Sequence, residues 1–178
     1  MSAMPSARSI LLALLLLVPM KVDARLIQLS VGTTSLDVGA ICALRSPETI
    51  PAPATKDGKV GLDRRPYTFV LEGDDVPSLP DLAVGIVVRL RDFTAGESLT
   101  LQAGKIEIGV TPDTWRIGLN DDGSFWLATS PDPGTRLEVG TYRFSVFRGR
   151  NAILIQDLTV RPPTKADIDK ALCLPTVS

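Results

Sequence analysis

Along most of the chain, apolar and polar residues alternate with a period of two, and the spacing of an amphipathic helix is almost absent. This alternation predicts β-strands that each bury one face. A further strand is predicted in "SFWLAT", after the turn "NDDG". In total the pattern predicts about eight or nine short strands. The alternating apolar positions are Ile27, Leu29 and Val31; Leu36, Val38, Ala40 and Cys42; Tyr67, Phe69 and Leu71; Val84, Ile86, Val88 and Leu90; Ile106, Ile108 and Val110; Trp115, Ile117 and Leu119; Tyr142, Phe144 and Val146; Leu154, Leu158 and Val160.

Turn signals separate these strands. The stretch 46–60, "SPETIPAPATKDGKV", is predicted as a long loop because it carries three prolines and a Lys-Asp-Gly-Lys turn. A second loop is "DDVPSLPD", and "RGRN" joins the last two strands. Short strands separated by regular turns are typical of an all-β sandwich.

Gly140 and Tyr142 stand at the start of a late predicted strand, in "LEVGTYRFSVF". Immunoglobulin-like domains carry a tyrosine corner at this place, where the hydroxyl bonds back to the upstream backbone. We therefore predict an immunoglobulin-like antiparallel β-sandwich, with Tyr142 at the corner.

The end of the chain predicts one short helix, around 164–173. Thr164 suits the N-cap and Asp167, three residues later, suits the reciprocal position of a capping box. Ile168, Leu172 and Leu174 fall on one side of this helix. A helix this short is marginal alone, so we expect that something anchors it.

Two cysteines, Cys42 and Cys173, are the only ones in the chain. In an oxidising compartment an even cysteine count indicates a disulfide framework, and two cysteines allow one intramolecular pairing. We predict the bond Cys42–Cys173, which would fix the tail to an early strand. The alternative, a redox-active pair, is disfavoured because there is no C-x-x-C motif.

The first residues predict export. Arg8 gives a positive start, residues 10–18 form an unbroken apolar run, and Val22 and Ala24 are small enough for a cleavage site. The run is too short for a transmembrane anchor, and no cysteine follows it closely enough for a lipoprotein signal. We predict a signal peptide at 1–24, one domain at 25–178, and a periplasmic or secreted protein without a membrane span after cleavage.

Charge and composition exclude several functions. The formal net charge is −1, which favours neither nucleic acid nor an anionic membrane. The chain has no histidine, the usual base at neutral pH and the commonest metal ligand. Histidine-dependent nucleophile systems and an ordinary zinc site are therefore excluded, and no cofactor is predicted.

Several blocks together resemble an uncharacterised family of exported bacterial proteins, which are small immunoglobulin-like β domains of the periplasm. The blocks are "LDVGAIC", "APATKDGKV", "VPSLPDLAVGIVVRLRD" and "GTYRFSVFRGRNAILIQDLTVRPP", and they occur in this order between residues 36 and 163. The segment "TPDTWRIGLNDDGSFWLATS" departs from that pattern. The resemblance implies the fold and the location, and it carries over no functional residues.

Acidic residues give weak candidates for a site. "NDDGS" (120–124) lacks the terminal acid of a calcium loop, and Asp-Gly favours a turn; "EGDDVP" (72–77) reads in the same way. Glu97, Glu107 and Glu138 are candidates for the paired carboxylates of a glycoside hydrolase. Nothing in the sequence brings two of them together, so solvated positions are the simpler interpretation.

A possible interaction surface is predicted from cationic and aromatic residues. Arg143, Arg148 and Arg150 flank one hairpin, and Trp126 and Phe147 lie out of phase with the apolar faces of their strands. Such residues suit a protein interface or an acidic partner. The alternative is ordinary solubility and protection of strand edges. Arg64 and Arg65 precede another predicted strand and are weaker members of the same set.

The functional prediction is an exported, non-enzymatic binding or accessory module of the bacterial cell envelope, with a protein or a glycan as partner. The alternative is a histidine-free hydrolase of carbohydrate or peptidoglycan that uses paired carboxylates.

Overall fold

The structure, a computed structural model, describes residues 29–30, 32–43, 48–61, 68–94, 96–170 and 173. The predicted signal peptide, Tyr67, Arg64, Arg65, Leu172 and Leu174 lie outside the described residues. Two sheets, a small hairpin and one short helix form the described part. The strands are β1 (Leu29–Ser30), β2 (Thr33–Cys42), β3 (Thr49–Pro51), β4 (Lys59–Gly61), β5 (Leu71–Glu72), β6 (Asp75–Pro77), β7 (Leu82–Leu90), β8 (Ser98–Lys105), β9 (Asp113–Gly118), β10 (Ser124–Thr129), β11 (Gly140–Arg148) and β12 (Asn151–Arg161).

The larger sheet has the order β1-β12-β11-β8-β9, and the smaller sheet has the order β10-β7-β2-β5. Neighbouring strands in both sheets are antiparallel, except that β6 pairs with β12 in parallel. Strands β2, β7 and β10 thus belong to the smaller sheet, and strands β8, β11 and β12 belong to the larger one. Strands A, B and E and strands C, F and G of an immunoglobulin domain are distributed in the same way. The predicted fold class, an immunoglobulin-like antiparallel β-sandwich, is confirmed.

The core lies between the two sheets and is built by the alternation seen in the sequence. The larger sheet contributes Phe144, Val146 and Leu154, and the smaller sheet contributes Ile86 and Val88, all without measurable exposure. The residues between them on the same strands face outward, as the period of two requires. Burial of one face is therefore what selects the register of each strand.

The predicted tyrosine corner is present. Tyr142 is 4% exposed, and its hydroxyl donates a hydrogen bond to the carbonyl oxygen of Glu138 at 3.1 Å. Burial raises the pKa of Tyr142, so the hydroxyl stays protonated and keeps its donor. The bond ties the start of β11 to the connection that arrives from the other sheet.

We expect the Tyr142→Phe substitution to lower the free energy of unfolding by about 1 kcal/mol, because it removes a buried hydrogen bond and leaves the ring in place. Chemical denaturation of the wild type and the variant would measure the difference. Tyr142→Leu, which replaces the aromatic ring with a smaller aliphatic side chain, should be clearly less stable than Tyr142→Phe. A Tyr142→Phe variant with an unchanged denaturation midpoint would show that the corner bond does not stabilise the fold.

Four predictions of strands and loops were wrong in part. The segment "DDVPSLPD" was expected to be a loop, but it contains β6, which pairs with β12. The stretch 46–60 was expected to be a loop, but it contains the hairpin β3–β4 around the turn Thr55–Gly58. "PYTFVLEG" was expected to be one longer strand, but its described residues form only the short strand β5. The reason is that the neighbouring strand, β2, pairs with it only at Gly39 and Ala40. "KIEIGVT" was expected to be a strand, but the strand precedes it: β8 ends at Lys105.

The C-terminal helix α1 (Lys165–Asp169) is shorter than predicted, and its cap is confirmed. Thr164 and Asp167 form the reciprocal capping box, and the Arg161 guanidinium donates to Asp167 at 2.7 Å. Hydrogen bonds from Arg161 and then Thr164 lower the pKa of Asp167. Ile168 is 60% exposed, so the expected apolar side of the helix does not pack through this residue.

The predicted disulfide Cys42–Cys173 is present, with the two Cα atoms 5.5 Å apart. Cys173 packs against the edge of the core. Since the bond joins the end of β2 to the tail, the helix is fixed at both of its ends, by the Arg161–Asp167 pair before it and the disulfide after it.

Candidate interaction surface

Arg143 is already engaged within the protein. It lies on the outward face of β11, opposite Asp157 on β12. Its Nε and Nη2 donate to the two carboxylate oxygens of Asp157 at 2.7 and 2.9 Å. These bonds raise the pKa of Arg143. A partner that bound the guanidinium group of Arg143 would have to share it with Asp157.

Arg148 and Arg150, at the β11–β12 turn, differ in their surroundings. Arg148 Nε lies 2.6 Å from Glu97 Oε1 without a hydrogen bond, whereas Arg148 Nη2 donates to Glu97 Oε2 at 3.3 Å. Arg148 Nη2 donates to the carbonyl oxygen of Asp92 at 2.6 Å. Arg150 is exposed, and Phe147 is half-buried on the outward face of β11.

The five predicted interface residues do not share one face. Trp126 lies in β10 opposite Val87, in the smaller sheet, and both of its strand neighbours, Phe125 and Leu127, are buried in the core. Trp126 therefore faces outward from the smaller sheet, whereas Phe147 faces outward from the larger one. Arg148, Arg150 and Phe147 do lie together at one end of β11, and this part of the predicted surface stays a prediction.

The "NDDGS" stretch is a turn, as its Asp-Gly sequence predicts. Gly123 has a φ of +73°, a backbone conformation that suits glycine. Asp122 Oδ1 accepts from the Ser124 hydroxyl at 2.5 Å and the Ser124 amide at 3.0 Å. These bonds lower the pKa of Asp122. Its carboxylate therefore stabilises the turn. Among the described residues, no group of three or more His, Cys, Asp or Glu is placed to hold a metal ion.

The structure brings together two carboxylates that the sequence kept apart. Lys105 Nζ lies 2.7 Å from Glu107 Oε1 and 2.6 Å from Glu138 Oε2. The hydrogen bonds that Lys105 donates, to Glu107 first and then to Glu138, raise the pKa of Lys105, and Lys105 lowers the pKa of Glu138. We call these three residues the Lys105 triad.

Within the Lys105 triad, Glu138 has the wrong electrostatics for a general acid. Retaining glycosidases also hold two carboxyl groups roughly 5 Å apart. Their general acid needs a raised pKa, however, so that it carries a proton at neutral pH. The ammonium group of Lys105 shifts the pKa of Glu138 in the opposite direction. Glu97, the third candidate, is paired with Arg148 instead.

Beside this triad lies an exposed apolar turn that sequence reasoning placed in a strand. We define the apolar turn as residues 106–110, "IEIGV". Ile106 is 46% exposed, Ile108 107% and Val110 57%, and Val139, next to Glu138, is 50% exposed. These four, with Ile168, are the exposed large apolar residues of the part of the chain that the structure describes.

Local geometry explains why the apolar turn leaves the sheet. The last β8–β11 pair joins Lys105 to Tyr142, and beyond it the Ile106 amide donates to Thr141 O at 2.8 Å. The chain then turns, with the Val110 amide 3.4 Å from Glu107 O and Gly109 at a φ of +81°. Glycine at the third position is the signature of a type II turn. It places Ile108 at the tip.

One signal in the sequence marks this turn. Gly109 interrupts the alternation "IEIGV", and glycine inside a strand pattern indicates a bulge or a turn. The regular spacing of Ile106, Ile108 and Val110 concealed that signal, because apolar alternation predicts a strand whether or not a partner strand exists.

The fold and the strand order define the chain as an immunoglobulin-like β-sandwich protein. It is similar to an immunoglobulin-like protein from Pseudomonas aeruginosa, with 14% identity and a TM-score of 0.42 over 71% of this chain and 92% of that chain. It is also similar to a β-glucosidase from Listeria innocua, solved with gluconolactone, with 12% identity and a TM-score of 0.28 over 49% of this chain and 14% of that chain.

No protein-family model and no curated protein matches the chain. Both TM-scores are too low to carry an argument, so the fold assignment rests on the strand order. Within the described ranges, no helix has the length and apolar character needed to cross a membrane.

Proposed function

We propose that this protein is an exported, non-enzymatic binding or accessory module of the bacterial cell envelope, and that it acts by docking onto another protein. The location is supported by the apolar leader at 1–24 and by the disulfide, which suits an oxidising compartment. The binding role is supported by the surface of the sandwich.

The observation that carries the proposal is the apolar turn. Elsewhere in the strands, alternation puts aliphatic side chains into the core, but here Ile106, Ile108 and Val110 face solvent at one end of the sandwich. Clustered exposed aliphatic residues mark interaction sites more often than scattered ones do. Aliphatic groups offer no hydrogen bonds to sugar hydroxyls, so the partner favoured by this surface is a protein.

A photo-crosslinking amino acid placed at three exposed positions of the full chain tests the proposal in intact cells. The positions are Val110 in the apolar turn, Arg150 at the β11–β12 turn, and Asp37 on the outward face of β2. We expect a discrete crosslinked product with an envelope protein from at least one of them, recovered outside the cytoplasmic fraction. Products that form only when the cells are lysed before irradiation serve as the background.

Two results would contradict the proposal. One is the absence of any discrete product at all three positions when the protein is correctly exported. The other is a purified protein that turns over a peptidoglycan or oligosaccharide substrate and loses turnover on substitution of a carboxylate, since this would establish the hydrolase alternative.

A further inference from the structure

We propose that the apolar turn inserts into an apolar pocket of its protein partner, and that the rim of this pocket carries lysine or arginine side chains. The inference rests on the proposed function and specifies the docking surface and the chemistry of the partner.

The shape of the apolar turn requires a concave partner. Ile108 occupies the tip of a β-turn and is 107% exposed, so the side chain projects beyond the surrounding surface. Ile106 and Val110 flank it at 46% and 57%. A projecting aliphatic tip is desolvated only when the partner surrounds it, and such anchors in pockets dominate the energy of interfaces.

The Lys105 triad beside the turn has a net negative charge. The Lys105 triad contains two carboxylates and one ammonium group, and the Glu138 side chain remains 76% exposed and that of Glu107 43%. The Lys105 side chain is only 24% exposed. A partner surface that meets the triad therefore sees surplus carboxylate, which a cationic rim complements.

The triad also prepares the surface for binding. Lys105 ends β8, Glu107 belongs to the apolar turn, and Glu138 precedes β11, so the ion pairs join the two connections at this end of the sandwich. The hydrogen bond from the Ile106 amide to Thr141 O joins them a second time. A turn held in place loses less conformational entropy when it docks.

Two other occupants fit less well. A second copy of the chain would place the surplus carboxylates of both copies at one contact, and four aliphatic side chains bury less than the ~800 Å² per partner of a stable dimer. An anionic membrane surface attracts cationic segments, whereas the carboxylates beside this turn would be repelled.

The test uses the full chain with the photo-crosslinking amino acid at Val110, so that Ile108 remains available for substitution. We expect Ile108→Asp to reduce the yield of the crosslinked product about tenfold or more, because a charge then occupies the apolar pocket. We expect Glu138→Gln to reduce the yield about threefold, because one carboxylate facing the rim is lost. The reduction should be smaller at high salt, which screens the attraction between this carboxylate and the rim. Glu72→Gln, an exposed glutamate on β5, is the matched control and should leave the yield unchanged.

Stability controls keep the result interpretable. Since Ile108 lies outside the core, Ile108→Asp should leave the thermal unfolding midpoint of the purified protein unchanged. The measurement also includes sedimentation of the protein alone and with vesicles of phosphatidylethanolamine and phosphatidylglycerol.

Each remaining outcome has one meaning. A product from Arg150 or Asp37 but none from Val110 would overturn this inference and leave the proposed function standing, whereas no product from any position would contradict both. Vesicle binding that Ile108→Asp abolishes would assign the turn to a membrane. A product with the mass of two chains would assign it to self-association. An increased yield for Glu138→Gln would show that the rim is not cationic.

Discussion

Replacing both Cys42 and Cys173 with serine should lower the free energy of unfolding by about 2 to 5 kcal/mol. The disulfide links residues separated by 131 positions, and the chain-entropy model gives about 5 kcal/mol for closing a loop of that length. The effect comes mainly from the unfolded chain, which gains freedom when the bond is absent. The native fold itself should form, because the capping box and the Arg161–Asp167 pair still hold the helix.

Chemical denaturation of the wild type, with and without reductant, and of the double serine variant would measure this loss. The reduced wild type and the variant should unfold at the same denaturant concentration, below that of the oxidised wild type. If the oxidised wild type and the variant have the same midpoint, the bond does not stabilise the protein. If the variant never folds, the bond is needed for folding as well as for stability.

The Phe144→Ala substitution should lower the free energy of unfolding by about 3 to 5 kcal/mol. Phe144 has no measurable exposure and lies in the middle of β11, opposite Gln156 on one side and Ala103 on the other. Both neighbouring strands fix its position, so the cavity left by the ring cannot close without moving the sheet. A cavity that persists adds to the lost transfer free energy.

Phe147→Ala is the matched control, because it removes the same side chain from the same strand at a half-buried, outward position. We expect it to lower the free energy of unfolding by about 1 kcal/mol. Denaturation curves of both variants at one pH would give the comparison. Equal losses for the two variants would show that β11 does not bury Phe144 against the other sheet.

Much of this fold was readable from the sequence, because burial of one face of a strand leaves a period of two. The strands β2, β7, β9, β10, β11 and β12 were found in this way, and Tyr142, Thr164 and the cysteine pair were assigned their correct structural roles. In each case the signal is local, or, for the disulfide, only one partner was available.

The errors have a common physical cause. A strand needs a neighbour, and alternation along one segment does not show whether a neighbour exists. "KIEIGVT" alternates as well as any buried strand, but β11 begins at Gly140, and the β8–β11 pairing ends at Lys105 with one further hydrogen bond, from the Ile106 amide to Thr141 O. The hairpin β3–β4 was missed for the opposite reason, since two short segments with prolines stabilise each other only by pairing.

The candidate interaction surface was predictable to a smaller extent. The sequence suggested that these arginines and aromatic residues lie on outward faces, but their positions relative to one another depend on which sheet each strand joins. Trp126 and Phe147 are 21 residues apart in the chain and belong to different sheets. The sequence also showed no reason for Glu107 and Glu138 to meet at Lys105.

By itself, the sequence determined the strand-rich class, the corner at Tyr142, the cap at Thr164 and the Cys42–Cys173 pairing, because these depend on local patterns or on a single possible choice. Only the tertiary structure decided which apolar residues are buried and which charges meet. The reason is that burial and ion pairing depend on the segment opposite, and strand pairing brings together residues that are far apart in the chain. The apolar turn is the clearest case: three residues with the pattern of a core strand remain at the surface because the strand pairing of β8 ends before them, at Lys105.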